Sequence, residues 1–272
     1  MSDKLQLDEP ADGVARLTIA NPERRGALDH EILDALASHA RSLEARCLII
    51  RGSGDVFSAG YDIGNLGESV AARPAEPAAC ARQEFEESAE RLVAHPFHEA
   101  IEALEAYRYP VVAEINGHAI GGGLELALTC DIRLAAHGAR FGMPPAKLGL
   151  IYSHTGLAKF IDVCGVANTA ELFFVGDNVE VARAARMGLV NEVVDREELE
   201  ERTLTLAAAI AANAPLSLEG NKRVIRTLRT RPLPAQVERE LIELRESCFA
   251  SEDFREGVRA FAEKRKPVWR GR

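Results

Sequence analysis

The feature that most constrains this chain is a run of three glycines, Gly121-Gly122-Gly123, between two apolar segments. Before it, Val111-Val112-Ala113-Glu114-Ile115 reads as a buried strand; after it, Leu124 to about Thr129 reads as a helix. Glycines let the chain turn sharply and let another group approach the backbone. A helix that begins at such a turn exposes N–H groups without intrahelical partners, with the positive end of the helix dipole behind them. That suits an anion, or an oxygen on which charge develops. A dinucleotide loop would need G-x-G-x-x-G, and Leu126 stands where its last glycine belongs. Close packing of a helix on a sheet explains the glycines equally well at this point.

A second segment, Phe57-Ser58-Ala59-Gly60-Tyr61-Asp62-Ile63, follows a strand and a loop, where another N–H can be left unpaired. Two N–H groups facing one point form an oxyanion hole, each donor contributing about 3 kcal/mol to the transition state. Glu125 lies three residues after Gly122, on the same helix face. There its carboxylate can move a proton, or it can merely complement the helix dipole. A third segment runs from Phe141 through Met143-Pro144-Pro145 to Leu150.

Around these segments the chain alternates strands and helices. Val14–Ile19 and Cys47–Ile50 read as strands. Between them lies a helix capped by Asp29, with Ile32, Leu33, Leu36, Ala40 and Leu43 on its apolar side. This predicts a βαβ unit with parallel strands. Ile132–Ala135 reads as a further strand. Helices are expected over Val166–Phe174, Val181–Met187 and Leu199–Ala212, and after a start signal at Ser251. Residues 66–96 read as a mobile loop followed by a charged helix, either a lid or a solvated insertion.

A net charge of -9 argues against a general nucleic-acid binder. The opening residues lack the apolar run of a secretory leader, and no stretch approaches about 18 uncharged apolar residues. Five scattered cysteines without a C-x-x-C pair are expected to be free thiols in a reducing cytoplasm, and a catalytic cysteine is the sharper alternative. His95 and His98 are too few for a metal site.

Together, S-A-G-Y-D-I, N-G-x-A-x-G-G-G-x-E-L-A, the D-I-R strand and F-G-M-P resemble the enoyl-CoA hydratase/isomerase (crotonase) superfamily over about residues 5 to 268. The resemblance implies an α/β spiral of ββα units over residues 1–195 and a helical oligomerisation region over 196–272, assembled as a homotrimer or dimer of trimers. It implies an acyl-CoA substrate and no cofactor beyond the coenzyme A of that substrate. It puts the oxyanion donors on Tyr61 and Gly122 and the first catalytic glutamate on Glu125. It puts the acyl-CoA contacts on Arg24, Ala27, Leu28, Ala59, Asp62, Ile63, Gly121, Pro144, Pro145 and Lys264. The family's second glutamate falls on Pro145, which cannot titrate, so the two-carboxylate hydration mechanism is placed in doubt. Met143-Pro144-x-x-x-Leu148-Gly149-x-x-Tyr152 is similar to the methylmalonyl-CoA decarboxylase branch, which implies a catalytic role for Tyr152. A CoA-binding homologue without catalysis is the third possibility.

Overall fold

A computed structural model of the chain describes residues 3–62, 96–229, 234–265 and 267–268. Strand β1 (Leu5–Ala11) pairs antiparallel with β2 (Val14–Ile19) across the two-residue turn Asp12-Gly13. The sequence reading has no β1, because its Asp8 and Glu9 interrupt the apolar pattern. The expected βαβ unit is present. Helix α1 (His30–Ser42) leads to β3 (Cys47–Gly52), which lies parallel to β2 from Val14↔Cys47 to Ile19↔Gly52. Asp29 caps α1 by accepting from the Ile32 N–H at 3.0 Å. Ile32, Leu33, Leu36, Ala37 and Ala40 form its buried stripe.

Strands β5 (Val111–Ile115), β7 (Ile132–Ala136) and β10 (Glu192–Val194) extend the sheet in the order β1-β2-β3-β5-β7-β10, parallel from β2 onward. A second sheet contains β4 (Val56–Ser58), β6 (His118–Ile120), β8 (Arg140–Gly142) and β9 (Val179–Glu180), in the order β4-β6-β8-β9. Long and short strands alternate along the chain: β3 then β4, β5 then β6, β7 then β8. Helices α2 (Pro96–Ala106), α3 (Gly122–Thr129) and α4 (His154–Val175) come after the three pairs. This is the expected α/β spiral of ββα units. The strands of the second sheet have two or three residues each, too few to show a period.

Helix α4 starts well before the expected Val166, because Ser153 caps it by accepting from the Gly156 N–H at 3.1 Å. Gly165, at φ 75° and ψ 165°, interrupts it, so the expected helix is its second half. Four of the remaining helices are α5 (Val181–Arg186), α6 (Leu199–Ala211), α7 (Pro215–Arg229) and α8 (Ala235–Phe249). The last is α9 (Glu252–Ala262), capped by Ser251.

The core follows the strand alternation. Leu48 and Ile50 of β3 join Leu33, Leu104, Leu124 and Phe160 on one side of the main sheet. Cys47 and Ile49 join Val112, Leu134, Ala207 and Ile210 on the other, where α6 covers the sheet. The loop and charged helix expected over residues 66–96 lie outside the described residues, apart from Pro96, which opens α2.

Candidate active site

The segment Ser58–Asp62 is pinned along one edge. The Ala59 N–H donates to the Arg25 carbonyl (3.0 Å), the Leu28 N–H to the Gly60 carbonyl (2.8 Å) and the Asp62 N–H to the Leu28 carbonyl (3.1 Å). Extended backbone alternates its amides, so the Tyr61 N–H points away from Leu28. Among the described residues it has no protein acceptor. On the far side lies the start of α3. Gly121 takes φ 55° and ψ -127°, and its N–H donates to the Gly142 carbonyl at 2.8 Å. Gly122 is the first helical residue, and its N–H also has no protein acceptor among the described residues.

The two amides are neighbours. A Cβ placed on Gly122 would lie 3.2 Å from the Tyr61 nitrogen, and one on Gly60 would lie 2.9 Å from the Gly122 nitrogen. Gly60 (φ 94°) admits no side chain, since its Cβ would also meet the Ile120 carbonyl oxygen at 2.7 Å. The glycines thus serve both of the readings left open by the sequence: they pack the helix start against the 58–61 segment, and that packing brings two undonated amides together.

Glu125 stands in the first turn of α3 and is 4% exposed. Its Oε2 accepts from the Tyr152 hydroxyl at 2.5 Å. Tyr152 lies just before the Ser153 cap and packs its ring edge-on to Phe173, with centroids 5.5 Å apart. Its route there starts at β8. Pro144 is half-buried, Pro145 is buried and opens a short 3-10 turn to Leu148, and the Leu150 N–H donates to the Pro145 carbonyl at 3.1 Å. Pro145 therefore shapes the turn that delivers Tyr152.

The other expected contacts divide. Arg24 is ion-paired to Asp62 beside Tyr61. Ala27 and Leu28 are buried, so Leu28 serves the segment through its main chain, and Ala59 is exposed. The Tyr61 hydroxyl hydrogen-bonds His30 Nε2 at 2.8 Å; burial, helped by Asp62, holds that phenol above its usual pKa range. Ile63 lies outside the described residues. Lys264 is exposed just past α9, in a left-handed conformation (φ 53°).

Sequence reasoning misses two residues of the site. Phe97 of α2 packs its ring against Gly122, 3.1 Å from where a Cβ would stand. Lys159 of α4 is buried; its Nζ lies 2.8 Å from Glu105 Oε1, 2.8 Å from Thr129 Oγ1 and 3.8 Å from Glu125 Oε1. A lysine next to Phe160 in an apolar helix face is the signal that could have found it, since lysines are seldom fully buried without partners.

Among the described residues the cysteines do not fit the catalytic alternative. Cys47, Cys130 and Cys164 are free and buried, and burial pushes the Cys47 and Cys130 thiols up to about 12, away from the reactive thiolate. His98 is exposed and paired with Glu102 at 3.0 Å. Among the described residues no helix is long and apolar enough to cross a membrane.

The family model for enoyl-CoA hydratase/isomerase matches residues 9–272. The chain belongs to the enoyl-CoA hydratase/isomerase family. A probable enoyl-CoA hydratase of Bacillus subtilis (strain 168) is 34% identical over 263 residues, covering 95% of each chain. A 2,3-dehydroadipyl-CoA hydratase of Escherichia coli (strain K12) is 30% identical, covering 95% of this chain and 96% of that one. Among solved structures, a methylmalonyl-CoA decarboxylase in complex with 2-nitronate-propionyl-CoA superposes over all of both chains, with a TM-score of 0.85 and 27% identity. This enoyl-CoA hydratase/isomerase-family chain therefore has hydratases among its sequence relatives and a decarboxylase among its structural ones.

Proposed function

We propose that this chain binds an acyl-CoA thioester and converts it through an enolate, with Glu125 as the proton carrier. The observation that carries the proposal is the pairing of two undonated amides, Tyr61 and Gly122, one helical turn from a buried carboxylate. The thioester oxygen accepts from both N–H groups. Glu125 takes a proton from the carbon next to the carbonyl: the C–H bond breaks and its electron pair moves to the thioester oxygen as charge. The two amides favour that charged state over the neutral thioester, and so lower the barrier. Returning the proton at the same carbon or further along a conjugated chain gives exchange or double-bond isomerisation. Nothing in this sequence of steps requires a cofactor other than the substrate's coenzyme A. The buried free thiols fit a reducing compartment, and we place the enzyme in the cytoplasm.

Pro145 bears on which reaction follows. Hydration by two carboxylates needs a second titratable group, and proline offers none. Decarboxylation is the second reading, favoured by Tyr152. There a substrate carboxylate leaves as carbon dioxide, its bonding electrons pass to the same thioester oxygen, and a proton then reaches the carbon. The hydrogen bond from Tyr152 to Glu125 supports the first reading, since it commits the hydroxyl to the proton carrier. Turnover on a panel of enoyl-, 3-hydroxyacyl- and malonyl-type CoA thioesters decides. Isomerisation of enoyl-CoA, abolished by Glu125→Gln, is expected. Carbon dioxide release from a malonyl-type thioester, unaffected by Glu125→Gln, would replace it with the second reading.

A further inference from the structure

We infer that Lys159 is a positioning residue for Glu125, holding the carboxylate aimed so that it can accept a proton. The inference rests on the reading of Glu125 as proton carrier. A carboxylate as buried as Glu125 needs donors or a cation facing its oxygens. Tyr152 serves Oε2 and Lys159 faces Oε1. Lys159, only 6% exposed, has its ammonium fixed from three directions. Glu105 comes from α2, Thr129 from α3, and Glu125 from one turn earlier on α3. Thr129 Oγ1, in turn, donates to the Glu125 carbonyl oxygen at 2.9 Å, so lysine, threonine and glutamate form one closed unit. Further titratable groups nearby among the described residues are Tyr152 before α4, the buried thiol of Cys130 after α3 with Asp131, Arg133 and Lys222 about it, and Asp162 on α4 itself, which is paired with Arg229 of α7 at 3.6 Å.

One ammonium shared between two carboxylates couples them. Without Lys159, Glu125 loses the cation that faces its Oε1 and the aim that cation gives it. An arginine restores a cation there, whereas packing alone predicts no rescue by charge.

The test is the steady-state rate of α-proton exchange from an acyl-CoA in deuterated water, measured on the full chain. Lys159→Met is expected to lower kcat at least about tenfold with KM little changed, and Lys159→Arg to restore most of the rate. If Lys159→Met does not fold, Glu105→Gln decides alone: it leaves the ammonium to Glu125 and Thr129, and is expected to change kcat with KM unchanged. Wild-type kcat in folded Lys159→Met and in Glu105→Gln would overturn the inference. Full exchange by Glu125→Gln would instead remove the functional reading beneath it, and the inference with it.

Discussion

At the scale of residues, the site is made of main-chain groups that side chains would obstruct. Gly122 is tightly enclosed: a methyl group there would stand 3.1 Å from the Phe97 ring and 3.2 Å from the Tyr61 nitrogen. Gly122 keeps an ordinary helical backbone, so the fold tolerates alanine while the amide pair is pushed apart. Gly122→Ala is therefore expected to lower kcat by roughly 10²-fold, the cost of one misplaced oxyanion donor, with melting temperature nearly unchanged. Steady-state kinetics beside a thermal melt checks this; equal kcat would mean that the amide does not act. The glycine run and Glu125 were legible because each has a local sequence signature. Lys159 and Phe97 were not, since their roles depend on α4 and α2 packing beside α3, contacts between residues far apart in the chain.

At the scale of elements, the strongest sequence signals are caps and apolar stripes. Asp29 before α1 and Ser251 before α9 each accept the expected N–H, and both helices form there. Short strands and the first half of α4 carry too little periodicity to be read. Helix α9 docks on the 3-10 turn that follows Pro145: a Cβ on Gly257 would meet the Leu148 carbonyl oxygen at 2.1 Å, so only glycine permits the approach. Its end is tied by Arg265, which donates to both oxygens of Glu256 (2.5 and 2.9 Å), while the Val268 N–H donates to the same carboxylate at 2.9 Å. These bonds, that of Arg265 first, hold Glu256 down to about 2 from an ordinary 4.5. A carboxylate depressed on folding stabilises the folded form above its unfolded value, and that stabilisation is lost as pH falls through the folded value. The tie should thus weaken between about pH 4.5 and pH 2. Amide protection at the end of α9, taken relative to the intrinsic exchange rate at each pH, should fall over that window in the wild type, and should be low and pH-independent there in Glu256→Gln. A wild-type exchange rate unaffected by Glu256→Gln at neutral pH would contradict this account.

At the scale of the whole molecule, three ββα turns place two loops from different turns side by side. The loop after β4 supplies the Tyr61 amide and the loop after β6 supplies the Gly122 amide. Parallel pairing of β4 with β6 and of β3 with β5 makes those loops emerge at the same end of the two sheets. The spiral itself was readable only through resemblance. The patterns in the chain gave one βαβ unit and further strands, while the second sheet is assembled from pieces too short to announce themselves. The chemistry asked of this arrangement is simple to state: it should hold a negative oxygen better than a neutral one. The direct measurement compares the affinities of propionyl-CoA and its 2-nitronate analogue, a planar anion conjugated with the thioester oxygen and so sharing part of its charge with it, by calorimetry on the intact protein. The account predicts that the nitronate binds at least about 10²-fold more tightly; equal affinity for the two would contradict it.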